Sequence, residues 1–541
     1  MRMPAVWMMT TLAVVMGVCG IMAPALADQP DRVEAVRIFA ETVLEHGRDN
    51  YREQPTPLFV DGLNVDTYEA VRWVHDEQVW IPSNLASHQN LFRTLVGLTN
   101  LTGDPKYRQA AHDAMAYGFE HLQHENGLLY WGGHRFIDLA TGEAVGEGYR
   151  HEFKHHYPFY EFMWDVDAEK TQRFLDSFWN AHIMDWSTMD MNRHGAYETE
   201  FADPWGNTFD ASEPFFEGRG LTFINTGTDL IHSAAVRYLL TGDERALEWS
   251  KRLAEQYVNA RHPDTGLGVY QFSQLRDGRD RAKVQFGPEF GEVALEGWML
   301  RAPNSIYGTN ARVQLQLAEM LGEDGAEFVQ WTIDGLRAWA EYGYDAEENT
   351  NRIMWADGTD LTGYEIKRDG YYGSEGRVLS GGRPSAEMIE AYALGYRLSR
   401  DEVLWETARV MAQHRGIGDL GPAPGVDVAV NLETTESDPI MLYAVLEICR
   451  SSDHPDYRAL AESIGDNIVA QRFHNGLFAQ SSEHVNARVS AHEPLALLAL
   501  EAVLRGEPGL VPGRGGLGFF HGPHDGIGRT FDGSAVFNVR R

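Results

Sequence analysis

The chain has 541 residues, 43% of them hydrophobic, which is enough for one large core or two ordinary ones. Its formal net charge of −33 excludes nucleic acid and anionic membrane as natural partners, and it stands in tension with any polyanionic ligand. Of the two cysteines, only Cys449 lies beyond the leader, so no internal disulfide is available and stability must come from packing.

Residues 1–27 carry a single Arg2, a long apolar run and the small-residue end Ala25-Leu26-Ala27. This pattern reads as a secretory signal peptide cleaved before Asp28, which places the mature chain in the periplasm or outside the cell. No later segment is apolar over the roughly 20 residues that a membrane span needs.

From residue 90 onward a helical hairpin recurs. Residues 90–131 give the first copy, and residues 231–272, 313–355, 386–421 and 440–480 give others. Apolar side chains fall at i, i+3, i+4 and i+7, the helical period. In the first copy Leu95, Leu98 and Leu101 form one stripe, Thr102-Gly103-Asp104 stops the helix, and Pro105 opens the next. Residues 157–186 supply a further pair, and residues 492–506 a last single helix. Such a long period predicts an all-α (α/α)6-7 toroid catalytic domain over 28–505. The Gly/Pro-rich stretch 506–541 is expected as an irregular tail packed over one face of it. An open superhelix would suit a flat binding surface, whereas loops rich in Trp, Tyr, His and Gly favour a pocket. Nothing in the pattern calls for an oligomer, and a monomer is expected.

The densest group of chemistry-capable residues runs from Trp131 to His194. His134, Glu152 and His194 stand out, although 18 and 42 residues separate them, too far for a local motif. In a toroid, residues at the tops of successive hairpins converge on one mouth. Two imidazoles and a carboxylate suit Mn²⁺, Co²⁺, Ni²⁺ or Zn²⁺ better than Ca²⁺. The plainer reading, in a chain with 21 His, is chance clustering, with Glu152 as a charge near a helix start.

The block HEFKHHYPFYEFMWDVD through DMNRHG, residues 151–195, resembles the corresponding region of family 2 polysaccharide lyases, pectate lyases with an (α/α)7 toroid. The likeness is plain over about residues 80 to 200. It implies β-elimination of polygalacturonate or another uronate glycan, helped by a divalent transition metal. The resemblance makes Glu152 one ligand, the His of the Arg193-His194 pair a second, and His134, which follows a Gly-Gly turn, the third. It makes Arg193 the catalytic base. A second catalytic arginine is implied downstream, matched by Arg301, with Arg281 as the rival. Free guanidinium titrates above about 12, so chemistry alone would favour Lys154, His155 or Tyr157 as the base.

Aromatic residues in Gly-rich loops, Tyr130, Trp131, Tyr371 and Tyr372, are candidates to stack on sugar faces. Two other functions remain in play. A metal-independent toroid hydrolase or epimerase would use acidic pairs such as Asp210 with Glu213, or Glu289 with Glu292. A periplasmic oligosaccharide-binding protein would need no Arg-His pair at all.

Overall fold

The computed structural model describes residues 30–541 apart from 76, 147–149, 212, 275–281, 283, 517–520, 525–529 and 533–535. The expected signal peptide and Arg281 lie outside the described residues. The helices, in chain order, are α1 (Arg32–His46), α2 (Gln89–Thr102), α3 (Pro105–His121), α4 (Tyr160–Val166), α5 (Ala168–His182), α6 (Ile224–Thr241) and α7 (Glu244–Asn259). They continue with α8 (Ala311–Leu321), α9 (Ala326–Ala338), α10 (Ala386–Ser399), α11 (Glu402–Gln413), α12 (Pro439–Ser451), α13 (Pro455–Arg472) and α14 (Glu493–Leu504). Strands are two to four residues long and pair antiparallel in the loops between hairpins. Among the described residues no helix is long and apolar enough to cross a membrane.

The hairpin turns form where their chemistry directs. Gly103 takes a left-handed φ of 78° at the end of α2, and Asp104 caps α3 by accepting from the Lys106 N–H at 3.1 Å, with Pro105 in the first turn. Gly242 and Asp243 repeat the device between α6 and α7, with φ 73° and an accepted bond of 3.2 Å from Arg245.

Six hairpins are contiguous in sequence, from α2/α3 to α12/α13. The seventh joins the two ends of the chain: α14 packs on α1, and it also packs on α2, which closes the ring. The single helix expected at 492–506 thus finds its partner more than 400 residues away, in a helix that the repeat pattern does not include. The toroid is therefore the (α/α)7 form. Phe39, Leu95, Trp179, Leu230, Tyr392 and Leu498 are fully buried in one continuous core.

The even-numbered helices form the inner ring, and they run parallel. His492, before α14, lies 3.3 Å from Asn90 of α2, and Arg505, after α14, donates to Leu101 near the end of α2. Ser385 N–H, before α10, donates to Asn304 Oδ1 on the approach to α8. Their N-termini face one end of the ring, the end that carries the 132–152–194 loops.

The tail departs from expectation. Asn100, near the end of α2, donates to the Leu510 carbonyl at 2.8 Å, and Asn90, near its start, donates to the Gly516 carbonyl at 3.1 Å. Residues 510–516 therefore thread the inside of the ring antiparallel to α2, with Arg514 only 4% exposed. Interiors pack to crystal density, and a ring of inner helices leaves an axis that a slim Gly-rich strap can fill. Ring closure gives a stability test. Phe39→Ala removes a fully buried ring between α1 and its neighbours and is expected to cost about 3–5 kcal/mol in denaturant unfolding.

Candidate metal centre

Three stretches that are remote in sequence are joined by backbone bonds. Strand Arg150–His151 pairs antiparallel with Gly195–Ala196, with Gly195 opposite His151, so Glu152 falls opposite His194. On its other side the Glu152 carbonyl accepts from the Gly133 N–H at 2.8 Å. Gly132 holds φ +97°, and a Cβ there would stand 2.5 Å from that carbonyl oxygen, so the Gly-Gly turn is what lets the two segments touch. Asn84 grips the same turn, donating to the Gly132 carbonyl at 2.8 Å and accepting its N–H at 3.1 Å.

The side chains then converge. His134 Nε2 lies 2.9 Å from Glu152 Oε2, and His194 Nε2 lies 3.4 Å from Oε1. One donor atom from each of the three fits within 4.8 Å of the others. A metal bound at about 2.1 Å separates neighbouring donors by roughly 3.0–3.4 Å, and the two imidazole–carboxylate distances lie close to that range. The donor set fits a borderline divalent cation. Among the described residues this is the one group of its kind.

Two cations complete the surroundings of Glu152: Lys154 Nζ at 3.0 Å from Oε1 and Arg193 Nε at 3.4 Å. Burial pushes the Glu152 carboxyl up, but the imidazoles of His134 and His194 and the charges of Lys154 and Arg193 outweigh it, and the group is held well below the usual carboxylate range. Burial also lowers His194, against the pull of Glu152, so its imidazole is neutral at neutral pH.

Behind the ligands lies a buried relay. The Trp131 indole donates to His151 Nε2 at 3.2 Å, His151 Nδ1 meets His182 Nε2 at 3.0 Å, and His182 Nδ1 meets the Asn192 carbonyl at 2.8 Å. Since indole only donates, His151 Nδ1 and His182 Nδ1 must both carry hydrogen, and both rings are neutral. Burial agrees: it sends His182 down to about 4 and His151 well below its ordinary value. Asn192 Oδ1 in turn accepts the His194 N–H at 2.9 Å.

The remaining sequence candidates sort by exposure. Trp131 is 1% exposed, packed on Phe153 and Phe174, and offers no face to a sugar; that expectation is corrected. Tyr372, at 4%, packs on Phe286 in a small core, and the same correction applies. Gly-flanked aromatics look alike in sequence whether they face in or out. Tyr371 is 45% exposed, and the Arg301 guanidinium sits 4.6 Å over its ring. Tyr130 is half-buried with Arg135 stacked at 4.6 Å. His155 and Tyr157 turn away, towards Ser305 at 3.3 Å and Asn310 at 3.5 Å. Asp210, Glu213, Glu289 and Glu292, the acidic pairs for a hydrolase, are all exposed.

One residue escaped the sequence reading. Tyr270 is raised first by burial and then by the Tyr371 phenol, while Arg301, Arg193 and Glu152 also act on it. Its ring lies 5.0 Å from that of Phe223, over which the Arg193 guanidinium packs at 5.3 Å. No motif marks it, because its loop is placed only by the ring.

A helical toroid carrying a buried two-His, one-Glu cluster flanked by cations has the makings of a polysaccharide lyase. Residues 56–523 match the family described as periplasmic pectate lyase, and the chain belongs to that family. It is an enzyme, a lyase of acidic polysaccharide. A pectate disaccharide-lyase of Dickeya dadantii (strain 3937) is 35% identical over 514 residues, covering 89% of this chain and 90% of its own. Solved structures align more loosely. A D-mannose isomerase has TM-score 0.44 and 13% identity over 80% of this chain and all of its own. A sugar epimerase from a ruminal bacterium has 0.41 and 14% over 72% and 87%.

Two tests of the centre follow from its electrostatics. Glu152→Gln is expected to weaken Mn²⁺ binding roughly 100-fold or more by calorimetry, since it removes the only anionic ligand. His194 is depressed and Glu152 is already ionised, so neither of these two ligands should release a proton when metal binds near pH 7.5. Affinity should decline only as pH falls below the ordinary imidazole range near 6.5, read by calorimetry in buffers of different ionisation enthalpy.

Proposed function

We infer that the chain cleaves polygalacturonate or its oligomers by β-elimination, in the periplasm or outside the cell. The observation that carries this is the meeting of His134, Glu152 and His194 with Arg193 and Lys154 around one buried carboxylate. The 35% identical pectate disaccharide-lyase supports the choice of substrate. His134, Glu152 and His194 would hold a transition metal, with Mn²⁺, Co²⁺ or Ni²⁺ preferred and Zn²⁺ acceptable to the same donors. When bound, the metal supplies Lewis-acid stabilisation to the substrate carboxylate.

The chain's own groups account for the rest. Elimination takes the proton from C5, moves its electron pair into a C4=C5 double bond and expels the O4 leaving group. Negative charge builds on the C6 carboxylate in the transition state, and fixed cations nearby stabilise it more than they do the ground state. Arg301, stacked on the exposed Tyr371 ring, is the residue assigned to hold a substrate carboxylate. Arg193, beside Glu152 and packed 5.3 Å over the Phe223 ring, is the residue assigned to take the C5 proton, a step it performs as the neutral guanidine and which returns it to the cation. Tyr371 and Tyr130 are the rings assigned to the sugar.

Incubation with polygalacturonate is expected to raise low-ultraviolet absorbance as unsaturated product forms, because its alkene is conjugated to a carboxylate, with a chelator abolishing the rise and Mn²⁺ restoring it. Arg193→Ala should lower kcat by about 10³-fold or more while Mn²⁺ affinity stays, as expected when a group acting in the transition state is lost. Reducing sugar released without absorbance would point instead to hydrolysis.

A further inference from the structure

The strap inside the ring ends against the floor of the site. Gly516 N–H donates to the His156 carbonyl at 3.2 Å. Gly515 N–H donates to Asn90 Oδ1 at 3.0 Å, and Asn90 Nδ2 donates back to the Gly516 carbonyl at 3.1 Å. Arg514 donates to Glu390 at 2.5 Å and to Glu387 at 3.4 Å, and its carbonyl accepts from Arg312 Nη1 at 3.1 Å. Arg93 completes the frame by donating to the Tyr157 carbonyl at 2.9 Å. Gly515 itself has no room for a side chain: a Cβ there would stand 2.8 Å from Arg93 Nη1 and 2.9 Å from the Tyr157 carbonyl oxygen.

These contacts hold a strained turn. His155 and Tyr157 sit at φ +58° and +47°, left-handed values that non-glycine residues adopt only when their surroundings impose them. From α6, Asp229 accepts the N–H groups of His156 and Tyr157 at 3.1 and 2.8 Å. From the opposite side, the carbonyls of the same two residues are held by the strap and by Arg93. The turn begins at Lys154, whose N–H donates to His156 Nδ1 at 2.9 Å and whose ammonium reaches Glu152. The aim of Lys154 thus depends on His156, and the carbonyl of His156 is held by Gly516.

We propose that Arg514, Gly515 and Gly516 form a positioning element of the active site, which fixes the Lys154–Tyr157 turn from within the ring and so holds the Lys154 ammonium against Glu152. The three metal-ligating residues are anchored separately, through Gly133 and the 150–151/195–196 pairing. The strap therefore sets the placement of a cation without moving the three donor side chains. The proposal rests on the site reading above, but the two fail differently.

The test compares Gly515→Ala, which forces a methyl against Arg93 and the Tyr157 carbonyl, with Gly513→Ala, whose methyl meets nothing within 4 Å. Asn90→Ala, which releases the strap from α2, is the second variant. Each is assayed for kcat and KM on oligogalacturonate, for Mn²⁺ affinity by calorimetry and for melting temperature. Gly515→Ala and Asn90→Ala are expected to lose about tenfold or more in kcat, with Mn²⁺ affinity undiminished, and Gly513→Ala to match the parent. In a Lys154→Ala background, Gly515→Ala should cost little more, because the group it misplaces is already gone. Parental kcat in both strap variants, or an undiminished loss in the Lys154→Ala background, would overturn the proposal. A parent chain that binds no Mn²⁺ would instead remove the site reading beneath it.

Discussion

A carboxylate buried to zero exposure is the constraint around which this protein is arranged. Taking Glu152 out of water costs several kcal/mol after relaxation. That cost is offset only if opposite charge and donors are fixed beside it. Lys154 at 3.0 Å, Arg193 at 3.4 Å and two imidazoles supply them. The Gly132-Gly133 turn, the two-residue strand pairing and the neutral histidine relay behind it serve one end: they keep the groups around Glu152 from drifting apart.

The charge of −33 no longer conflicts with an acidic substrate once charge is considered by location. At physiological salt, screening acts over about 8 Å, so carboxylates elsewhere on the surface contribute little at the mouth. On the function proposed above, a uronate would meet Arg193, Arg301 and Lys154 there, together with the N-terminal ends of parallel inner helices, each carrying about half a positive charge. The acidic exterior and the cationic mouth belong to different distances.

Much of the architecture was legible beforehand. The repeat at 90–131 and its successors announces helix pairs, and Gly103-Asp104-Pro105 marks where one ends and the next begins. The candidate trio His134, Glu152 and His194, which the fold brings together, was legible through the HEF and Arg193-His194 segments and their likeness to a known family, not through spacing. Trp131 and Tyr372 were misread because a ring beside glycine carries no mark of the side it faces. Tyr270 was missed because nothing local distinguishes it, and the tail was misplaced because composition says that a segment is irregular, not where it goes.

By itself, then, the sequence determined the elements: periodicity sets the helices, and Gly, Asp and Pro set the turns, because these are interactions within a few residues. Only the tertiary structure decided the closures. The pairing of α14 with α1, the strap along the axis and the meeting of His134, Glu152 and His194 all join groups tens to hundreds of residues apart. Such contacts depend on how seven inner helices share one ring, and no local stretch of chain encodes that geometry.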